Sequence, residues 1–193
     1  NAIGYTNFLS LVAHEYFHLW HVKRLRPKAL GPFNYDEENY THLLWIFEGF
    51  TAYYDNLITR RCGFRDELDY LQALVSEFNM VLNKPGHLVQ SVGLSSFDTW
   101  IKQYRPDENS QNSSISYYNK GAMLACMLDI SILAQTNGEK RLDQVLQAAY
   151  KQFYLIEGRG IEEAEFRKLA EEVTGTSLGQ IFDAVHTCEE LDY

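Results

Sequence analysis

Apolar residues recur every three to four positions through most of this 193-residue chain and alternate almost nowhere. That period belongs to helices packed on one face, so a sheet-dominated fold is excluded and a mainly α, multi-helix domain is expected. The first helix starts near Thr6 or Asn7, either a suitable cap, and runs to about Val22. A basic connector holding Pro27, Gly31 and Pro32 follows it. A second helix is expected over 38–61, with Leu43, Phe47, Phe50, Tyr54, Leu57 and Ile58 on its buried stripe and Gly63 at its end. A third spans 65–83 and stops at Pro85. Residues 87–115 read as irregular, closing in an exposed polar loop over 105–114. Helical pattern returns at 116–136 and 139–154, then in shorter pieces at 162–173 and 177–186. One domain over 1–186 is expected, with 187–193 as the start of a linker.

Composition narrows the function. Seventeen basic against twenty-six acidic residues leave a net charge of −9, which argues against a phosphate-binding surface and so against nucleic acid as a partner. No apolar run reaches the roughly 18–20 residues a membrane-spanning helix needs. Cys62, Cys126 and Cys188 are too few and too scattered for a disulfide framework or a thiolate zinc site. They suit a reducing compartment, the cytoplasm ahead of the periplasm.

Within the first helix stands His14-Glu15-Tyr16-Phe17-His18, an H-E-x-x-H pattern. Residues four apart share a helix face, so both imidazoles can point at one ion. Glu15 sits about 100° round the helix, placed to act as a general base without being a ligand. The flanking run Phe8, Leu11, Val12, Ala13, Phe17, Leu19 and Trp20 is apolar almost all round. A largely buried helix is therefore expected, in which histidine and carboxylate need partners.

A zinc site here needs a third protein ligand and an open position for water. Glu48 is the best candidate, because it stands in the apolar run Leu43-Leu44-Trp45-Ile46-Phe47-Glu48-Gly49-Phe50, where an unpaired carboxylate would be expensive. Gly49 leaves no side chain beside it, so another backbone could approach closely. His21 falls on the face of His14 but lies about 10.5 Å further along the helix, too far to complete one site. The metzincin pattern also fails, since His21 and Arg24 stand where it requires Gly and His. Thr51 and Asp55 lie on the side of Glu48 and could orient a ligand. The basic run Lys23-Arg24-Leu25-Arg26 reads as a complement to the helix C-terminus rather than a substrate anchor.

The run from His14 through His18, Leu19-Trp20-His21 and on to Pro27, together with Leu44-Trp45-Ile46-Phe47-Glu48-Gly49-Phe50-Thr51-Ala52-Tyr53-Tyr54-Asp55, resembles the glycyl aminopeptidase family of gluzincin metallopeptidases. Ser116-Tyr117-Tyr118-Asn119-Lys120-Gly121 resembles it too, and is similar to the Tyr-x-Lys-Gly element of aminopeptidase N-like enzymes. The resemblance covers nearly the whole chain. It implies a helical, thermolysin/aminopeptidase N-like C-terminal catalytic subdomain holding one zinc ion on His14, His18 and Glu48, with Glu15 as general base. Tyr118 would stabilise the oxyanion, although the residues alone do not separate it from Tyr117, about 100° away on the same helix. The implied substrate is a peptide with a small N-terminal residue, Gly or Ala.

The same resemblance implies an upstream β domain that aligns the substrate and a downstream PDZ-like domain. Only 13 residues precede His14, too few for that sheet, so an isolated piece of this length is expected to be poorly active. A second reading, from another class, is a helical interaction module that keeps the fold without hydrolysis. The intact Glu15 and three candidate ligands favour the peptidase.

Overall fold

The structure, a computed structural model, describes residues 2–189; residues 190–193, the end of the expected linker, lie outside the described residues. The fold is mainly α. Among the described residues no strand forms, and β pairing is confined to isolated bridges between His21 and Leu25 and between Pro27 and Ile161.

Helix α1 (Ala2–Phe17) lies along α2 (Thr51–Arg61), which continues directly from a π-helical segment, Trp45–Phe50. Helix α3 (Glu67–Leu82) starts at Asp66, whose carboxylate accepts from the Asp69 backbone N–H at 2.8 Å, with Glu67 and Asp69 favouring the positive end of its dipole. The irregular stretch expected over 87–115 contains the short α4 (Val92–Phe97) and the single turn α5 (Ser110–Ser113). Helix α6 (Tyr117–Gln135), capped by Ser116, is the centre of the domain. The π segment, α2, α3, α4 and α7 (Leu142–Ala149) all pack on it. A second π segment, Tyr150–Ile156, extends α7. Then come α8 (Glu163–Thr174), closed by Gly175 at φ 70°, and α9 (Gly179–Asp183).

Two features fix α6. The first is a buried carboxylate, Asp129, only 1% exposed. It accepts from Tyr53 Oη at 2.7 Å, from the Leu142 N–H at 2.8 Å and from the Arg141 guanidinium, so its charge is paired and its lone pairs are filled. That network ties α2 and α7 to α6. The second is a crossing of two glycines. A Cβ on Gly121 would stand 2.8 Å from Gly49 Cα, and one on Gly49 would overlap Gly121 in turn. The close backbone approach expected at Gly49 is thus made by α6.

The first helix ends at Phe17, earlier than the expected Val22. The backbone turns back beyond it. Lys23 N–H reaches His18 O at 3.0 Å, Leu25 N–H reaches Trp20 O at 2.8 Å, and Val22 takes φ 141°, a strained value for a β-branched residue. His18 keeps its helical bond to His14 O at 3.2 Å, so the shared face survives. Arg24 donates to Leu19 O, which places the basic run where it complements the helix end.

The expectation that α1 is largely buried is overturned. It rests on α2 on one side only, and Phe8, Leu11, Val12, Tyr16 and Trp20 are exposed, Tyr16 by 61%. The second helix is also shorter than expected at its start. Residues 38–43 are not helical; Thr41 and Leu43 are buried in the connector, and the helical path begins at Leu44.

Candidate metal centre

His14 and His18 leave the end of α1 toward the π segment, where Trp45, Ile46, Phe47 and Phe50 are fully buried and Glu48 alone points outward to them. His14 Nε2 lies 3.4 Å and His18 Nε2 3.3 Å from the same oxygen, Glu48 Oε2. Four ligands placed tetrahedrally around zinc at its usual bond lengths stand about 3.3–3.6 Å apart. The His–Glu separations match that edge, and all three donor atoms lie within 4.8 Å of one another.

The electrostatics fit a cation as well. Burial disfavours the charged form of His14, but hydrogen bonds and charge from Asp55 and Glu48 outweigh it and push its pKa up to about 9. Against the same burial, Glu48 also raises His18. Burial would raise Glu48, yet the two imidazoles hold it down to about 2. The cluster therefore draws positive charge into its centre, which protons or a metal ion can supply. His14, His18 and Glu48 are the residues that would hold one.

Both imidazoles are oriented from behind. His14 Nδ1 bonds Asp55 Oδ2 at 3.1 Å, and His18 Nδ1 donates to the His21 carbonyl at 2.9 Å. Such outer bonds leave each Nε2 free to coordinate. The His21 ring faces away, buried, with Nε2 donating to Ile46 O at 3.0 Å and stacked on Phe47. Burial lowers its pKa to about 4, so it stays neutral. Thr51 has no part in the cluster: its hydroxyl donates to Phe47 O at 2.6 Å. Glu15 is exposed, one residue round the helix from His14.

The two tyrosines at the start of α6 part ways. Tyr117 is 1% exposed and its oxygen accepts from Thr99 Oγ1 at 3.0 Å. Tyr118 is half-buried, its ring centroid 6.3 Å from that of His14 and its hydroxyl 3.4 Å from that of Tyr104. Burial, the Tyr104 hydrogen bond and the Glu48 charge all push the Tyr118 phenol upward, so it keeps its proton across the neutral range.

Sequence reasoning missed the neighbours of Tyr118. Trp100 and Tyr104 follow α4, Phe33 lies in the connector before the π segment, and together they wall a cavity of about 300 Å³ reaching Glu48 and Tyr118. No periodic signal marks them, because all three sit in irregular backbone.

The structure aligns with the crystal structure of an aminopeptidase N family protein from Idiomarina loihiensis, at a TM-score of 0.93 and 35% identity over 97% of this chain. This chain spans 32% of that one, about a third of its length. Comparison with curated proteins gives no match. The family model described as M61 glycyl aminopeptidase matches residues 7–124, a stretch that holds both histidines, Glu48 and Tyr118. More than half of the chain is thus matched, with its fold closely paralleled in a solved relative, and the chain belongs to the M61 glycyl aminopeptidase family.

Proposed function

We propose that this chain is the metal-binding helical half of a zinc aminopeptidase that releases small N-terminal residues, Gly or Ala, from peptides. The observation that carries the reading is the cluster of His14, His18 and Glu48, in which both imidazoles stand at the edge length of a zinc tetrahedron from one Glu48 oxygen, flanked by Glu15 and Tyr118. Zinc, when bound, supplies Lewis acidity that acidifies water and polarises a carbonyl oxygen. Glu15 takes a proton from the attacking water and passes it to the departing amine. Tyr118, kept protonated, donates to the oxygen that gains negative charge. Asp55 and the His21 carbonyl hold the two imidazoles in place.

The remaining parts of the cleft lie elsewhere in this reading. The exposed apolar face of α1 is the seat of an upstream β domain that aligns the substrate backbone, and a PDZ-like domain follows the chain. The uncovered Phe8, Leu11, Val12 and Tyr16, and the one-third coverage of the solved relative, support this arrangement. Among the described residues no helix is long and apolar enough to cross a membrane.

Elemental analysis of the complete polypeptide should find one zinc per chain. Glu48→Gln should weaken zinc binding by more than about 100-fold, and Asp55→Asn by about 10–100-fold, because an outer partner tunes a ligand whereas Glu48 is one. Unchanged zinc affinity in Glu48→Gln would transfer the third position to another group.

The phenols provide a separate check. Tyr118→Phe should reduce kcat by about 10²–10³-fold with little change in KM, as expected of a donor that acts only in the transition state. Tyr117→Phe should change kcat far less, since its hydroxyl is engaged by Thr99. Equal losses in the two variants would remove Tyr118 from the chemistry.

A further inference from the structure

The cavity beside Glu48 and Tyr118 is too large for the residue the enzyme is read to release. Its volume is about 300 Å³, whereas the side chain of glycine is a hydrogen and that of alanine a methyl group. Its walls are Phe33, Leu44, Trp100, Tyr104 and Tyr117, and Glu48 is the one charged residue that lines it. Most polar groups of the walls have a partner within the protein. Thr99 donates to Tyr117 Oη at 3.0 Å, Tyr104 Oη stands 3.4 Å from Tyr118 Oη, and Trp100 Nε1 donates to Asn39 O at 3.4 Å. Ser96 Oγ accepts from Trp45 N–H at 3.0 Å, and Thr41 Oγ1 accepts from Leu43 N–H at 3.2 Å. A charged side chain entering here would give up its water against mostly aromatic walls, and an acidic one would also meet the Glu48 charge. An apolar one would exchange water for aromatic faces.

We propose that this cavity is the specificity pocket for the side chain on the carboxyl side of the cleaved bond, the second residue of the peptide, and that it selects a large apolar side chain, an aromatic one above all. The inference rests on the aminopeptidase reading. A bond held at the cluster has one residue on each side of it. If the first is small, a cavity opening directly from Glu48 and Tyr118 is left to the second. The family's small-residue preference and a large aromatic pocket then describe opposite sides of one bond.

The test uses the complete, zinc-loaded polypeptide and Gly-X-Gly tripeptides with X as Phe, Leu, Ala, Lys or Glu. The expected order of kcat/KM is Phe, Leu, Ala, with Phe ahead of Ala by about 10–200-fold and Lys and Glu below both. Trp100→Ala and Phe33→Ser each remove one wall. Both positions are about half exposed, at 49% and 47%, so neither variant opens the core. Each should shrink the Phe-over-Ala ratio at least about fivefold. Calorimetric titration of the same peptides into Glu15→Gln enzyme should show the same order in Kd without turnover.

A flat profile across X would overturn the proposal, as would a preference for Lys, or a Phe-over-Ala ratio unchanged in both wall variants. Peptides with Phe first cut faster than those with Gly first, with that advantage erased in Trp100→Ala, would assign the cavity to the other side of the bond and overturn it too. If zinc-loaded, folded enzyme cuts none of the peptides, the aminopeptidase reading itself fails and takes the pocket assignment with it.

Discussion

Glu15→Gln in the complete polypeptide keeps its zinc and loses peptide turnover by about 10²–10⁴-fold, the range a positioned general base contributes. The amide is nearly isosteric with the carboxylate, and Glu15 is exposed, so neither packing nor the fold changes. It stands outside the triangle of donor atoms, so metal content is untouched. What the amide lacks is the basicity to take a proton as water attacks. Zinc content and kcat measured on one preparation separate these effects. Turnover at the wild-type rate would return the chain to the helical interaction module that merely keeps the fold.

A different kind of loss is expected from Gly49→Ala. The added methyl group meets the Gly121 backbone, and no flexible side chain stands there to yield. Overpacking of this kind costs about 1–3 kcal/mol, and a backbone-to-backbone clash belongs at the upper end or beyond. The strain falls between Glu48, one residue before Gly49, and Tyr118, three residues before Gly121. Zinc affinity and kcat should therefore drop along with the unfolding midpoint. Gly138→Ala is the contrast. That glycine has φ 81° with open space around it, so the substitution costs only left-handed strain, about 1–2 kcal/mol, and leaves the metal centre alone. Equal effects on zinc affinity in the two variants would detach the glycine crossing from the site.

Much of this centre could be read before any fold was known, for local reasons. The four-residue spacing of His14 and His18 is a property of helical backbone alone, and the anomaly of Glu48 is a property of its apolar neighbours. The bounds of α6 were legible to within one residue because Ser116 caps one end and the apolar pattern stops at the other. Other features depended on what packs against what. A helix apolar all round reads as buried, but α1 has α2 on one side and nothing described on the other. Tyr117 and Tyr118 are equivalent until Thr99 claims one of them. The end of α1 was misread because Val22 continues the apolar period while its backbone leaves the helix altogether. Phe33, Trp100 and Tyr104 meet only through tertiary folding of loops, which no periodicity encodes.

The π-helical segment Trp45–Phe50 phases the centre by chain length. A π turn carries one residue more than an α turn, and such turns are frequent at functional sites. Here the surplus residue sets the angular offset between Glu48 and everything before it, including Leu44 on the cavity wall and the connector that carries Phe33. Removing one residue from the segment would leave an ordinary helix, with about 3.6 residues per turn, and change the angle between Glu48 and the chain before it. Substitutions at Ile46 or Phe47 leave that offset intact, whereas a change of length does not. In comparing relatives of this chain, a one-residue gap across 45–50 is therefore the place to look for a changed angle between carboxylate and pocket, even where every ligand residue is retained.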